Sequence, residues 1–176
     1  PPHGGAASDY VMWAREVSGV TRVFVERLWS GSGSVRIFVL MDNLYPNGIP
    51  GTDNLARVRA HIEAMRPVGA FVTVAAPTAV PVNVTIDGLQ PGTVEVRERV
   101  KASLRDAFLR NGRVAGNDTP VGGMPFLATP YSFSRSWIWQ AVANASGEER
   151  HIITSPADDV VLSAGELPVL GDVTFV

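Results

Sequence analysis

The sequence predicts an α+β protein of two small α/β units, each a short, mostly antiparallel sheet packed with helices. Stretches whose apolar residues recur every three or four positions alternate with short runs of β-branched residues, which predicts helices and strands in turn. Of the 176 residues 45% are hydrophobic, enough to bury a core in a chain of this length. Because Pro77 and Pro81 interrupt a β-rich run, we place the boundary between the units near Ala79.

Residues 1–7 are expected to form a linker, because Pro, Gly and Ala dominate them. They hold neither an initiator methionine nor the apolar core of a signal peptide, so we expect further chain to precede them. The first unit is then predicted over residues 8–79, in the order helix, strand, strand, helix, strand.

The first unit begins with a helix over residues 8–17, where Ser8 or Asp9 can cap the first turn. Strands at residues 20–28 and 35–41 follow, and the short glycine–serine loop between them predicts a hairpin.

A second helix is predicted over residues 53–66, because four apolar residues three or four positions apart form one stripe: Leu55, Val58, Ile62 and Met65. Turn residues precede this helix and Pro67 ends it. A strand at residues 71–75 completes the unit.

The second unit is predicted over residues 80–176, in the order strand, helix, long loop, helix, strand, strand. A strand at residues 82–86 precedes a helix over residues 93–110. The loop at 111–131 has about twenty residues, which is longer than most structureless connections, so we predict that it is mobile. The remaining elements are a helix and two strands, at 134–145, 150–154 and 172–176.

A short internal repeat suggests that the second unit is a divergent copy of the first. Residues 17–25 resemble residues 145–153, with Gly19 and Gly147 at corresponding helix ends, and residues 33–39 resemble the end of the chain. Duplication is therefore a hypothesis, in which each unit carries a helix, a glycine, a strand and a further strand.

Composition argues against several functions. The net charge is −2 and no run of Lys or Arg occurs, so we expect no nucleic-acid binding. No stretch approaches the about 18 consecutive apolar residues of a membrane-spanning helix, so we expect no membrane insertion. The chain has no cysteine, which excludes disulfides, cysteine nucleophiles and cysteine-ligated metal sites.

The residues that could carry catalysis or bind metal lack the spacing that such chemistry needs. No Gly-x-Ser-x-Gly motif supports a serine nucleophile, and the three histidines are isolated from one another: His3, His61 and His151. Four aspartates lie at loop or cap positions, where aspartate is expected for local backbone bonding: Asp42, Asp53, Asp158 and Asp159. We therefore predict no catalytic residue, no metal site, no cofactor and no enzyme activity.

Four aromatic residues close together in the second unit point to an interface. Tyr131 and Phe133 precede Trp137 and Trp139, which is more aromatic surface than one helix face can bury. Residues two apart on a helix point about 200° from each other, so if Trp137 is buried then Trp139 is exposed or meets a partner. These four residues are the candidate interface; packing of Trp139 beneath the long loop is the alternative.

Several motifs occur in order over nearly the whole chain. They are Asp-Tyr-Val-x-Trp-Ala at 9–14, Glu-Val-Ser-Gly-Val-Thr-Arg at 16–22, Tyr-Pro-Asn-Gly-Ile-Pro at 45–50, Arg-Pro-Val at 66–68, Ala-Pro-Thr at 76–78, Val-Pro-Val at 80–82, Thr-Ser-Pro-Ala-Asp-Asp-Val at 154–160 and Gly-Glu-Leu-Pro-Val-Leu-Gly at 165–171. In these motifs the chain resembles the C-terminal half of the baseplate J-like family, the wedge subunits of contractile phage tails and related prophage particles.

The resemblance implies a structural subunit that helps to join the tail tube and sheath to the fibre-bearing periphery. It implies no catalytic residue and no cofactor. The implied partners are other baseplate and tail proteins, and self-association is also open. The implied location is the tail baseplate of the virion, assembled in the bacterial host cytoplasm.

Two other classes of function stay open. An envelope-degrading hydrolase of a phage tail would use acidic residues around residues 42–53, and a buried carboxylate pair with raised pKa would favour it. A peptide-binding module would use an open strand edge, and a groove beside such an edge would support it.

Overall fold

The computed structural model describes residues 4–176, so the first three residues of the predicted linker, with His3, lie outside the described residues. The chain divides into two compact units. The first holds the described residues up to Ala79 together with Val114–Pro130 and Ser163–Glu166, and the second holds Val80–Arg113, Tyr131–Leu162 and Leu167–Val176. The sequence-based division places all residues after Ala79 in the second unit. In the structure, two segments of that range, Val114–Pro130 and Ser163–Glu166, belong to the first unit.

The predicted α+β class is confirmed, since the described residues form four α-helices and three small sheets. In the first unit the helices are α1 (Ala7–Arg15) and α2 (Thr52–Met65), and the strands are β1 (Arg22–Arg27), β2 (Ser34–Leu40) and β3 (Phe71–Ala75). The strands lie in the order β1-β2-β3, with β1 and β2 antiparallel and β2 and β3 parallel. The parallel pair follows from the connection, because α2 carries the chain back across the sheet between β2 and β3.

Helix α1 begins at Ala7 because of Asp9. The carboxylate of Asp9 accepts the backbone N–H groups of Gly5 and Ala6 at 3.0 and 2.9 Å, which satisfies donors at the helix start. One face of α1 then buries Tyr10 and Trp13, whose rings meet edge to face with centroids 5.2 Å apart. The same core takes Val58 and Ile62 of α2 and the inward side chains of β2.

Backbone hydrogen bonds close the predicted long loop at its base. Within it, the Gly116 N–H donates to the Thr129 carbonyl at 2.7 Å, and the Thr129 N–H donates to the Asn117 carbonyl at 3.1 Å. A Cβ at Gly116 would overlap the Thr129 hydroxyl, so this close approach needs glycine. The tip, residues 121–126, is exposed. Hydrogen bonds thus close the base of the loop, and the mobility of the loop stays a prediction.

The second unit contains more strands than predicted. Its elements are β4 (Thr78–Gln90), α3 (Val94–Asn111), β5 (Tyr131–Phe133), α4 (Arg135–Ala143), β6 (Arg150–Ser155), β7 (Val160–Leu162) and β8 (Glu166–Phe175). One sheet has the order β6-β4-β8, and β5 pairs with β7 as an antiparallel ribbon. Strand β4 starts well before the predicted residues 82–86 and contains Pro81, which precedes the part of β4 paired with β6, from Thr85 onward.

Helices α3 and α4 build the core of the second unit. The Thr93 hydroxyl accepts the Val96 N–H at 3.3 Å and caps α3. Apolar residues spaced four apart on α3 are buried, namely Val96, Val100, Leu104 and Phe108. Phe108 stacks on Phe133 of β5 at 4.3 Å between ring centroids. The Ser103 hydroxyl donates to the Ala141 carbonyl of α4 at 2.6 Å, which ties the two helices together.

The duplication hypothesis is not shown by the fold. Gly19 and Gly147 both follow a helix with positive φ, 97° and 90°, as the repeat predicts. The strands after them pair differently, however: β1 pairs with β2, the next strand in the chain, whereas β6 pairs with β4, which comes earlier. The similarity is therefore local, at the helix end and the start of the next strand.

Among the described residues, no helix is both long enough and apolar enough to cross a bilayer.

Candidate protein-interaction surfaces

The structure separates the four aromatic residues of the predicted interface. Tyr131 and Phe133 are both buried, because residues two apart on β5 point to the same side and that side faces the core. Trp137 is half-buried and meets Phe133 edge to face at 5.1 Å. Trp139 is 42% exposed. A buried ring offers no surface to a partner, so Trp139 is the main candidate of the four.

Trp139 is held between two charged or titratable side chains. The Arg135 guanidinium lies over the indole at 5.3 Å, and the His151 ring meets it at 5.8 Å. We call Arg135, Trp139 and His151 the Trp139 patch. Arg135 is itself fixed, because its Nε and Nη2 donate to the carbonyls of Pro156 and Ile153 at 2.6 and 2.7 Å. The indole is therefore presented in one orientation rather than free to rotate.

His151 has a structural partner within the patch. Its Nδ1 lies 2.8 Å from Oε1 of Glu148, and the two side chains are only 6% and 8% exposed. Its Nε2 is buried and has no hydrogen-bond partner among residues 4–176. His61 is similarly paired, with its Nε2 at 2.7 Å from Oε2 of Glu16. These histidines therefore form local pairs.

Tyr131 is bound by the backbone of its own unit. Its hydroxyl donates a short hydrogen bond to the Asn111 carbonyl, and the Arg113 guanidinium lies over its ring at 4.9 Å. Burial raises the pKa of the Tyr131 phenol to about 12, although the Arg113 charge acts in the opposite direction. The phenol thus stays protonated and acts as a hydrogen-bond donor in the core.

The acidic candidates serve local structure. Asp42 accepts two hydrogen bonds from Arg22, Nε to Oδ2 at 2.9 Å and Nη2 to Oδ1 at 2.8 Å, and one from the Thr21 hydroxyl at 2.6 Å. Burial alone would raise the pKa of Asp42, but the Arg22 and Thr21 hydrogen bonds and the Arg22 charge lower it overall. Asp53 lies in the first turn of α2, and Asp159 accepts the Arg135 N–H at 2.8 Å.

No three His, Asp or Glu side chains come together as a metal site would need within the part of the chain that the structure describes. The carboxylates and imidazoles that could carry chemistry are thus spread over separate local pairs.

The first unit contains a cavity that sequence reasoning missed. Its volume is about 340 Å³, and it lies between the β1–β2 turn and the loop from α2 to β3. Tyr10, Arg27, Ala70 and Leu127 are among its lining residues. These residues come from four separate segments of the chain, so no motif or periodicity could have grouped them.

Exposed apolar side chains occur at this cavity and at residues next to its lining. Val68 lines it and is fully exposed, and Phe126, next to the lining residue Leu127, is 81% exposed. Phe71 is 72% exposed and its ring lies beside Gly33, another lining residue. We call Val68, Phe71 and Phe126 the apolar rim. Exposed apolar side chains grouped in this way are typical of protein-interaction sites.

Two family models match the chain. Residues 2–76 match the model described as the Baseplate J-like central domain, and residues 132–176 match the Baseplate J-like protein C-terminal domain. The matched segments lie in the same order as the motifs identified in the sequence.

Curated relatives agree with these matches. The chain is 34% identical over 185 residues to the Mu-like prophage FluMu protein gp47 of Haemophilus influenzae, and 33% identical over 168 residues to the baseplate protein gp47 of Escherichia phage Mu. These alignments cover 99% and 90% of this chain but 47% and 42% of the relatives. The JayE protein of Escherichia coli (strain K12) is 33% identical over 175 residues, and the chain spans 60% of its length. The chain thus spans less than two thirds of each of these relatives.

A solved structure shares the fold. A chain in the cryo-EM structure of the anti-feeding prophage (AFP) baseplate, 6-fold symmetrised, superimposes with a TM-score of 0.50 at 13% sequence identity. The superposition covers 97% of this chain and 41% of that chain. At this level of identity the likeness concerns the fold alone.

Proposed function

This chain belongs to the baseplate J-like family, and on that premise we propose that it is a structural subunit of a contractile phage or prophage tail baseplate. Baseplate J-like proteins form a structural family rather than an enzyme family. The observation that carries the proposal is the pair of family matches, which together take in both ends of the chain. We propose the wedge region of the baseplate as its place, and the host cytoplasm as its place of assembly.

The geometry supports contact rather than chemistry. Asp42, which a hydrolase would need as an acid or base, is engaged by Arg22 and Thr21, and its pKa is lowered rather than raised. A general acid at neutral pH needs the opposite shift. A raised carboxyl pKa would have supported the envelope-degrading hydrolase. The lowered pKa of Asp42 therefore argues against it.

The partners we propose are other baseplate and tail proteins, with self-association as a further hypothesis. The Trp139 patch is a suitable contact in the second unit, because an exposed, oriented indole next to an arginine is the composition of an interface hot spot. The strand-edge alternative remains a hypothesis, with β6 and β8 at the edges of the second sheet.

The test is deletion of the coding sequence from the phage or prophage that carries it, followed by electron microscopy of the lysate. We expect no complete tails, and restoration of tails when the chain's gene is supplied in trans. Complete, contractile tails assembled in the absence of the protein would contradict the proposal.

The contribution of the patch can be measured in the same assay. Supplying Trp139→Ala should yield fewer complete tails than supplying Val161→Ala, a matched truncation of an exposed apolar side chain in the same unit. Equal yields would remove Trp139 from the interface while leaving the structural role intact.

A further inference from the structure

We infer that the cavity of the first unit is a docking site for a protein segment that presents one apolar side chain beside an acidic residue. The inference rests on the proposed structural role and deepens it, by stating where a neighbouring tail protein binds and which chemistry it offers. It is carried by the shape of the site, a hydroxyl group that lines it and an arginine without an ion-pair partner among the described residues.

The shape fits an apolar anchor. A cavity of about 340 Å³ lies at the low end of the volumes of ligand pockets, and it can take one large apolar side chain with part of its backbone. Around it, Val68 and Phe126 of the apolar rim expose most of their surface to water. A pocket with exposed apolar side chains next to it suits binding in which a few anchor residues supply most of the binding energy.

The hydroxyl of Tyr10 is available to an occupant. Tyr10 is 1% exposed and lines the cavity, and its hydroxyl is not among the described buried polar atoms that lack a partner. A phenol hydroxyl can donate one hydrogen bond to an acceptor placed beside it. An occupant with a carbonyl or carboxylate oxygen would offer the Tyr10 hydroxyl an acceptor.

The charge of the site selects an acidic occupant. Among the described residues that line the cavity, Arg27 alone is charged, and it forms no ion pair with another described residue. Arg66 lies near Tyr10 but is already engaged, by Glu63 and by the Ala70 carbonyl at 2.8 Å. A negative charge beside the anchor side chain would therefore meet Arg27 without displacing an existing partner.

The site is built on fixed elements. The Ser34 N–H and hydroxyl both donate to the Gly31 carbonyl, at 3.2 and 2.7 Å, which closes the β1–β2 turn. The loop bearing Leu127 is held at its base by the Gly116–Thr129 hydrogen bond at 2.7 Å. Walls held in this way reduce the entropy lost on binding.

The test uses two defined peptides and the full chain labelled with nitrogen-15. The acetylated and amidated tripeptide Glu-Leu-Glu should shift the backbone amide signals of Gly33, Gly69 and Leu127, with a dissociation constant on the order of 1 mM. The charge-reversed peptide Lys-Leu-Lys should bind at least tenfold more weakly. Absence of shifts at the cavity, or equal affinity for both peptides, would overturn the inference.

Three variants separate the contributions. Tyr10→Phe should weaken binding of Glu-Leu-Glu about three- to tenfold through loss of one hydrogen bond. Arg27→Glu should reverse the preference between the peptides, whereas Arg15→Glu, the same charge change on an exposed α1 residue outside the cavity, should leave it unchanged. Ala70→Phe should fill the cavity and abolish binding. An Arg27→Glu variant that keeps the original preference contradicts the charge argument, even if Tyr10→Phe does not fold.

A second copy of this chain is the competing occupant. Analytical ultracentrifugation would reveal it as a concentration-dependent increase in mass that Ala70→Phe abolishes, and that result would overturn the inference in its present form. If the peptides do not bind but the unmodified gene still restores tails, the docking site alone is rejected. Failure of the deletion test would instead reject the structural role.

Discussion

The carboxylate of Glu26 in β1 accepts the backbone N–H of Asn117 at 2.8 Å, across 91 positions of the sequence. Glu26 is 5% exposed, and its other oxygen accepts the Nε and Nη2 of Arg36 at 3.1 and 2.6 Å. Arg36 in turn lies over the rings of Trp29 and Phe38, at 4.6 and 4.8 Å. One buried acidic residue thus joins the hairpin of the first unit to the base of the long loop.

Replacing Glu26 should destabilise the protein strongly. Glu26→Ala leaves Arg36 without its carboxylate and the Asn117 N–H without its acceptor, so we expect the free energy of unfolding to fall by about 3 to 5 kcal/mol. Glu26→Gln retains an acceptor and should cost less. Urea unfolding measures both, and Glu149→Ala, at an exposed position, should change stability by less than about 0.5 kcal/mol. A Glu26→Ala protein as stable as the control would show that this network adds nothing.

Asp42 should make the stability of the protein depend on pH in the acidic range. Its pKa in the folded chain lies below its ordinary value of 3.8, so its stabilising contribution is present above that value and is lost as the pH falls through the folded pKa. Asp42→Asn should therefore be less stable than the unmodified chain at pH 7. The difference should shrink below about pH 4, as urea unfolding at pH 7, 4 and 3 would reveal. A difference that stays constant over this range would contradict the assignment.

Tyr131 should resist ionisation. With its pKa raised to about 12, the phenol should remain protonated at pH 11, where the exposed phenols of unfolded chains are largely ionised. The sign follows from linkage: the contribution is complete below the unfolded pKa of 10.0 and is lost as the pH rises towards 12. Comparing the ultraviolet titration of the unmodified chain with that of Tyr131→Phe isolates this phenol.

The Tyr131→Phe variant should also be less stable at pH 7, by about 1 to 3 kcal/mol, because the partly buried Asn111 carbonyl loses its donor. If the titration that disappears in Tyr131→Phe lies near pH 10, the raised pKa of Tyr131 is wrong.

Removing residues 171–176 should destabilise the second unit. The Val176 N–H donates to the Ile86 carbonyl at 2.9 Å, and the Val176 carbonyl accepts the Gly88 N–H at 3.1 Å, so the chain end is paired with β4. Val173 and Phe175 are half-buried, and Arg97 lies over the Phe175 ring at 5.2 Å. We expect a loss of about 2 to 4 kcal/mol from this burial and pairing.

Amide hydrogen exchange can locate that effect. Protection should fall in α3 and β4 and should be retained in α1 and β2, if the two units unfold separately. An unchanged melting temperature after truncation would show that the last strand contributes little.

Periodicity was sufficient to place the helices and most strands. The α2 stripe shows why: Val58 and Ile62 are buried as predicted, because helix geometry alone puts positions four apart on one face. Its ends depart from the pattern, since Leu55 is half-buried and Met65 is 42% exposed. Spacing thus predicts which face points inward, whereas the depth of each residue depends on what covers that face.

Pairing and assembly were decided at the tertiary level. No local pattern states that β6 pairs with β4, or that the base of the long loop packs with the first unit. The Trp139 prediction depended on helix geometry and placed the exposed indole correctly, yet the inward direction of Tyr131 and Phe133 required the pairing of β5 with β7.

By itself the sequence determined the α+β class, the helix positions and the resemblance to the baseplate J-like family, because each depends on residues near one another or on motifs read in order. Only the tertiary structure decided the Glu26–Asn117 contact and the cavity at Tyr10 and Arg27. Such contacts join segments far apart in the chain. Their geometry is set by strand register and helix packing acting together, so no single stretch of sequence contains it.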